Sequence, residues 1–407
     1  MIALHVLVTA VGVALGVLYP FISVILADFG FSPSQIGLIA SAGAVGFTLA
    51  VPAWGHLADV RLGRPRTLQV CAVGAGLAVA SLLLPSPPGL VIAGFLLFWV
   101  FESSWQPLAD ALTVNAVRGR DYARVRTFTS LGFAVGAIAA GRLYDVVGYD
   151  LAFVLFVAAS GVIFVSAAFL PDVGRADLGR HRAASSREAT SDGAPTTSAD
   201  RSRFSFGSSG VALRVAPGLG LVLLASGLLH VAIISGFTFL PLRIVELGGQ
   251  PSDVALSSGL SAAVEIPTML AMGGIAARFG VRRIFVASAL LYAACLLSWT
   301  VLDSPMAIVA TRAVTGIAFS GVVVSVVLTI AMLLPADLQA TGQSLFQTTA
   351  FGVGAILANI LGGILFERFG PAALFGAGAG LALIAAVIGW VAFPGRQGRR
   401  DVRRSDP

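Results

Sequence analysis

The sequence predicts an all-α membrane protein of about twelve spanning helices in two six-helix bundles. Three observations predict it. Hydrophobic residues make up 57% of the 407 and charged residues only 11%, against about 25% charged in a soluble domain. The apolar residues fall into runs of about 20, the length that crosses a bilayer as helix with its backbone groups satisfied internally. The arginines collect in alternate gaps between those runs. The composition, with a mean hydropathy of +0.91, also excludes a disordered chain, a collagen and a disulfide scaffold.

The runs lie at approximately 3–27, 34–55, 67–84, 88–115, 124–144, 150–171, 216–242, 252–274, 284–302, 305–333, 338–363 and 371–393, with ends good to about 2–4 residues. The first begins next to Met1 without a basic flank or a small-residue cleavage site, so it reads as a retained span, not a signal peptide. Residues 172–215 contain "RAASSREATSDGAPTTSADRSR", polar and without an apolar period, and read as a flexible linker. The expected organisation is a first bundle over 1–171, a cytoplasmic linker over 172–215, a second bundle over 216–394 and a basic tail over 395–407.

All 26 basic residues are arginine, giving a net charge of +6 and a pI near 10.1. Such a balance can signal nucleic acid, but the distribution excludes that partner. Twenty-two of the 26 follow spans two, six, eight and twelve or surround the junction of spans four and five, all on one side of a twelve-span chain. Arg142, Arg243 and Arg368 lie in the opposite loops, and Arg312 lies inside a span. The positive-inside rule then puts both termini in the cytoplasm of a multi-pass cell-membrane protein. Cys71 and Cys295 sit in separate apolar runs, offer no metal or disulfide spacing, and read as packing residues.

The two halves repeat each other. "TFTSLGFAVGAI" (127–138) aligns with "LFQTTAFGVGAI" (345–356), and "GRLYDVVG" (141–148) with "GILFERFG" (363–370). "GHLADVRLGRPR" after span two has a shortened copy, "GGIAARFGVRR", after span eight. Three matches in the same order point to the internal duplication seen in transporters.

On these motifs the chain resembles a major facilitator superfamily transporter over essentially its whole length. Gly55–Arg66 resembles the family's loop motif: a Gly, an Asp four residues on, then a Gly-Arg-x-Arg-like end, with one extra residue between Asp59 and Gly63. The resemblance implies a cytoplasmic gating role. Gly55 would allow close helix approach, Asp59 would meet a helix N-terminus or an arginine, and Arg64 and Arg66 would bind acidic or carbonyl groups. The plainer reading of these arginines is a topology signal. The second-half copy keeps Gly274, Arg278, Gly280, Arg282 and Arg283 without the acid. "WQPLADALTV" (105–114) followed by "YARVRTFTSLGF" (122–133) is similar to the phenylpropionate-permease-like branch, related to oligosaccharide and nucleoside proton symporters. Ala123 and Thr129 stand where that pattern has glycines. Span five also lacks the Gly-Pro step of antiporters, and both features lean toward symport.

Ionisable groups inside a bilayer are costly and default to functional hypotheses. They fall in spans four, five, seven, eight and ten as Glu102, Asp110, Arg126, His230, Glu265 and Arg312, and the resemblance places those spans around a central cavity. Glu102, Gln106 and Asp110, spaced i, i+4, i+8, fall on one helix face. Arg126 reaches the depth of Asp110 and is expected to pair with it, as a clamp at the cytoplasmic end or a static brace. Glu102 and Glu265 lie near mid-span, where a carboxyl can bind and release a proton at physiological pH. Arg312 is the available counter-charge for Glu265 or for an anionic substrate, or else the pair only joins two helices. His230 reads as packing or as a coupling group. Tyr19, Trp105, Gln343, Gln347 and Asn359 suit a small organic solute in the cavity, and each singly also reads as helix–helix glue. Trp54, Trp99 and Trp299 read as packing or interface residues.

No phosphate-cradling Gly-Lys loop, metal-ligand cluster or nucleophile–base pair is found in the sequence, so neither ATP, a cofactor, a metal nor enzymatic catalysis is expected. The expected function is proton-coupled symport of an organic acid, sugar or nucleoside-like solute by a monomer. The alternatives are proton-coupled efflux of drugs or metabolites and a non-transporting membrane sensor or scaffold.

Overall fold

The computed structural model describes residues 1–85, 87–116, 120–171 and 206–395. Every regular element among them is helical. Eleven continuous segments are long and apolar enough to cross a membrane: Ile2–Asp28, Pro33–Leu62, Arg64–Leu83, Pro88–Val114, Val125–Val147, Asp150–Ala168, Gly218–Glu246, Pro251–Phe279, Val281–Val301, Pro305–Leu333 and Gln339–Ala392. The last, 54 residues long, breaks at Gly370, whose φ of 82° and ψ of 171° lie outside helical space. It therefore counts as two spans, and the twelve expected spans are present. They are called spans one to twelve below.

The connections carry the duplication. Positive-φ glycines occur at Gly30, Gly63 and Gly148 in the first half and at Gly248, Gly280 and Gly370 in the second. Each first-half glycine and its counterpart sit in the equivalent loop, after spans one and seven, two and eight, five and eleven. Gly63, at φ 82° and ψ 156°, occupies backbone space essentially closed to residues with a Cβ. Gly63→Ala is expected to cost about 1–3 kcal/mol, read as a lowered unfolding temperature in detergent.

Packing inside each half uses the small residues of the repeat. Span one lies on span five through Gly12, Gly16, Gly132 and Gly136: a Cβ on Gly132 would stand 2.5 Å from the Thr9 carbonyl oxygen, and one on Gly136 3.1 Å from that of Val13. Spans seven and eleven meet likewise at Gly227 and Gly354. Without a hydrophobic drive between helices in lipid, backbone approach of this kind supplies the packing energy.

The halves meet at the end of the molecule opposite Met1 and Phe393. There span two crosses span eleven, with Gly37 and Gly363 set against the backbones of Asn359 and Pro33. Span five crosses span eight, with Gly141 and Gly259 set against Ala255 and Ile138. The Ser41 hydroxyl adds a 3.1 Å bond to the Ile356 carbonyl. Towards the terminus-bearing end, Leu49 and Val60 of span two and Leu270 of span eight are exposed.

One sequence expectation changes. Of the segment 172–215 read as a linker, 172–205 lie outside the described residues, whereas Phe206–Val215 is helical and buries Ala212. Its apolar Val211-Ala212-Leu213 core, overlooked beside the polar run, gives it a packing side. The tail from 396 on also lies outside the described residues.

Candidate functional site

A cavity of about 270 Å³ lies between the two halves. Span one contributes Tyr19 and Ser23, span four Trp99, span seven Phe237 and Thr238, and span eleven Phe351 and Asn359. Local irregularities aim several of these. Tyr19 opens a short 3-10 turn, Tyr19–Phe21, imposed by Pro20. Phe351 sits in a π-turn, Thr348–Val353, the kind of helix defect that recurs at functional sites. Gly43 gives Trp99 its place, because a Cβ there would run into the indole. The Thr238 hydroxyl donates to Asn359 Oδ1 at 2.8 Å, which leaves the Asn359 amide N–H groups for a ligand.

Behind the aromatic wall, the Tyr19 hydroxyl donates to Glu102 Oε2 at 2.9 Å. Glu102 is only 4% exposed. A carboxyl buried this deeply is stable only with such a partner or with a proton. It stands behind the Tyr19 ring and does not itself line the cavity.

Glu102 does not share a helix face with Gln106 and Asp110, as the i, i+4, i+8 spacing predicts. Span four breaks between Glu102 and Trp105, because Pro107 has no N–H for the Ser103 carbonyl and its ring crowds that carbonyl. The freed Val100 carbonyl is taken up by the Trp54 indole N–H at 2.8 Å and the Ser103 hydroxyl at 2.8 Å. Glu102 turns to Tyr19, and Gln106 donates to Asp110 Oδ1 at 2.9 Å.

Asp110 also faces Arg126, with Nε and Oδ1 3.6 Å apart and both side chains partly exposed. The pair joins spans four and five of the same half, so in this conformation it is a brace and not a clamp between halves. Glu265 and Arg312 make no ion pair within 4 Å. Arg312 is instead buried, with Nε donating to the Ser257 carbonyl at 3.4 Å, NH1 to the Thr315 hydroxyl at 3.0 Å, and its guanidinium 5.9 Å from the Trp299 ring. Glu265 lies within electrostatic reach of both Arg312 and Arg126, the second of these across the gap between the halves.

The remaining residues divide as follows. His230 is fully buried, its Nδ1 bonded to the Ser226 carbonyl at 2.7 Å and its Nε2 without a partner. Phe351, 4.9 Å away between ring centroids, separates it from the cavity. Trp105 does not line the cavity: it is buried within the first half, stacked on Phe156 at 5.5 Å. Gln343 and Gln347 lie on Gln339–Gln347, and neither lines the cavity. The extra residue of the intervening π-turn shifts their face relative to Phe351 and Asn359. In the last turn of span two, Asp59 is 65% exposed and 3.7 Å from Arg64 at the start of span three. Arg66 is exposed, and the space around Gly55 is open, so Gly55 supports no close helix approach here.

The sequence reading overlooked Trp99, Phe237, Thr238, Phe351 and Ser23. Trp99 had a signal: it precedes Glu102 by one helical turn and so shares its face. Phe351 stands in the repeat without a polar mark, and nothing in the sequence separates Phe237 or Thr238 from their neighbours.

The chain is 28% identical over 366 residues to the maltose permease of Geobacillus stearothermophilus, covering 89% of this chain and 86% of that protein. It is 30% identical over 131 residues to the uncharacterized transporter YwbF of Bacillus subtilis (strain 168), 31% of this chain and 33% of that one. Among solved structures, the nucleoside transporter NupG superposes with a TM-score of 0.78 at 14% identity, covering 96% of this chain and 98% of that one. The peptide transporter POT in complex with sulfate superposes at 0.67 and 14% identity, covering 96% and 92%. At such identities these structures speak for the fold, which they share with this chain. The model of the MFS_1 like family matches residues 11–377, from the first span into the twelfth. That match covers both six-span halves, and the chain belongs to the MFS_1 like family of major facilitator superfamily transporters.

Proposed function

We propose that this chain is a proton-coupled symporter of an uncharged, ring-bearing organic solute, working by alternating access between two six-span bundles, 1–171 and 216–394. The observation that carries the reading is the cavity. Its wall comes from both halves, it offers aromatic faces with amide and hydroxyl groups, and one of its tyrosines holds a buried carboxyl behind the wall. Aromatic faces suit the apolar face of a ring, and the Asn359 and Thr238 groups suit hydroxyls. With no arginine in the wall, an organic acid is the weaker candidate. A maltose permease and a nucleoside transporter among the similar proteins support a sugar or nucleoside-like solute.

Glu102 and Glu265 are the proposed proton carriers, one in each half. Arg126 pairs with Asp110 of its own half and acts electrostatically on Glu265 of the other, so neutralising Glu265 would weaken a cross-half attraction and tie proton binding to bundle movement. The arginine-rich face fits a cytoplasmic assignment for both termini, and the conformation described would then be inward-facing. A monomer suffices, since one chain supplies the whole cavity.

The test is uptake into proteoliposomes, with maltose and uridine as the first probes. An imposed inward proton gradient is expected to accumulate one of these or a related neutral solute, and a protonophore to abolish the accumulation. Gradient-independent equilibration would contradict proton coupling, and uptake driven by an outward gradient would favour efflux.

A further inference from the structure

The repeated octapeptides 141–148 and 363–370 place an acid at the same position, Asp145 and Glu367, and the alternating-access reading gives these residues no role in solute or proton binding. Both carboxylates reach across to the opposite half and meet the same kind of target. Asp145 Oδ1, at the end of span five, accepts the backbone N–H of Ser252 at 2.8 Å, at the start of span eight. Glu367 Oε2, at the end of span eleven, accepts the backbone N–H of Ser34 at 2.8 Å, at the start of span two, and also the Ser32 hydroxyl at 2.7 Å.

The two receiving helix starts are alike as well, Ser32-Pro33-Ser34-Gln35 and Gln250-Pro251-Ser252-Asp253. A helix N-terminus presents unsatisfied N–H groups. Here proline at the first helical position removes one, and a capping box occupies the third position in each case. The second N–H is left over, and in both helices it is the one taken by the carboxylate from the other half. Such a bond is charge-assisted and lies along the helix dipole. One turn before each acid, Gly141 and Gly363 let the helices touch: a Cβ on Gly363 would stand 2.5 Å from the Pro33 carbonyl oxygen, and one on Gly141 would run into Ala255.

We propose that Asp145 and Glu367 are a symmetry-related pair of positioning residues that latch shut the end of the molecule opposite the termini, and that both must release before the cavity can open there. The duplication makes the lock two-fold: each half supplies one carboxylate and one receiving helix. The proposal rests on the alternating-access reading, but it needs neither a known solute nor proton coupling.

The experiment uses Ser23→Cys, in the cavity wall, as reporter in a chain whose buried Cys71 and Cys295 are replaced by alanine. Labelling with a membrane-impermeant maleimide from the outside reads opening of that end. The wedge Gly363→Leu serves as the positive control for an opened end. Asp145→Ala and Glu367→Ala are each expected to raise the labelling rate several-fold and by similar amounts, and the double variant to approach the wedge. Labelling of the double variant at the parent rate, while the wedge labels fast, would overturn the proposal. If the alanine pair does not yield a monodisperse protein, Asp145→Asn with Glu367→Gln keeps size and removes charge. Faster labelling of that pair supports the latches, and unchanged labelling overturns them. Proton-driven uptake by the parent chain together with unchanged labelling of the latch variants would reject the latches alone. Gradient-independent uptake by the parent chain together with faster labelling of the latch variants would reject the proton reading alone.

Discussion

Glu102→Gln is expected to abolish accumulation of solute while leaving its binding and its equilibration across the membrane in place. The glutamine keeps the size of the side chain and can still accept from the Tyr19 hydroxyl, now bonded to Glu102 at 2.9 Å, so the cavity wall stays formed. What is lost is the proton. One charge moving through 100 mV is worth about 2.3 kcal/mol, enough to concentrate a solute roughly 50-fold at 1.4 kcal/mol per decade. The wild type is expected to approach that figure in proteoliposomes under a 100 mV potential, negative inside, and Glu102→Gln to level off near equal concentrations. Tyr19→Phe leaves the buried carboxyl short of a partner, at a cost of about 1–3 kcal/mol. It is expected to slow gradient-driven uptake without removing it. Wild-type accumulation by Glu102→Gln would place the coupling group elsewhere, with Glu265 the next to replace.

Trp99→Ala is expected to weaken solute binding by roughly 10–100-fold, the loss of one aromatic face with its buried area, measured by calorimetry on the purified protein. Trp99→Phe is expected to recover most of the loss. Trp105→Ala provides the contrast: its indole stacks on Phe156 inside the first half, so that change should lower stability and leave affinity nearly unaltered. Equal effects of the two alanine variants on affinity would argue that Trp99 supports the fold and does not face the solute.

These two tryptophans show where the sequence was legible and where it was not. The spans, their number and the interior charges follow from hydropathy, because lipid permits few alternatives to an apolar helix. Orientation around a helix is harder. Trp99 and Trp105 are six residues apart, which at 3.6 residues per turn points them about 120° apart, and Pro107 then breaks the helix between Glu102 and Trp105. The spacing that aligned Glu102 with Gln106 and Asp110 assumed an unbroken helix. The pairing of Asp110 with Arg126 survived because both lie beyond the break. In span eleven the π-turn Thr348–Val353 adds a residue to the turn and moves Gln343 and Gln347 off the face of Phe351 and Asn359, a defect that no hydropathy pattern reveals. Arg312 could be located by its charge, but its partners could not: it is satisfied by the Ser257 carbonyl and the Thr315 hydroxyl in place of Glu265.

The central claim is that solute and proton cross together. It is tested most directly by adding solute to proteoliposomes that hold a pH-sensitive dye and bear no imposed gradient. Internal acidification on addition of solute, absent in Glu102→Gln, is the predicted result. Solute entry in the wild type without any change of internal pH would contradict it.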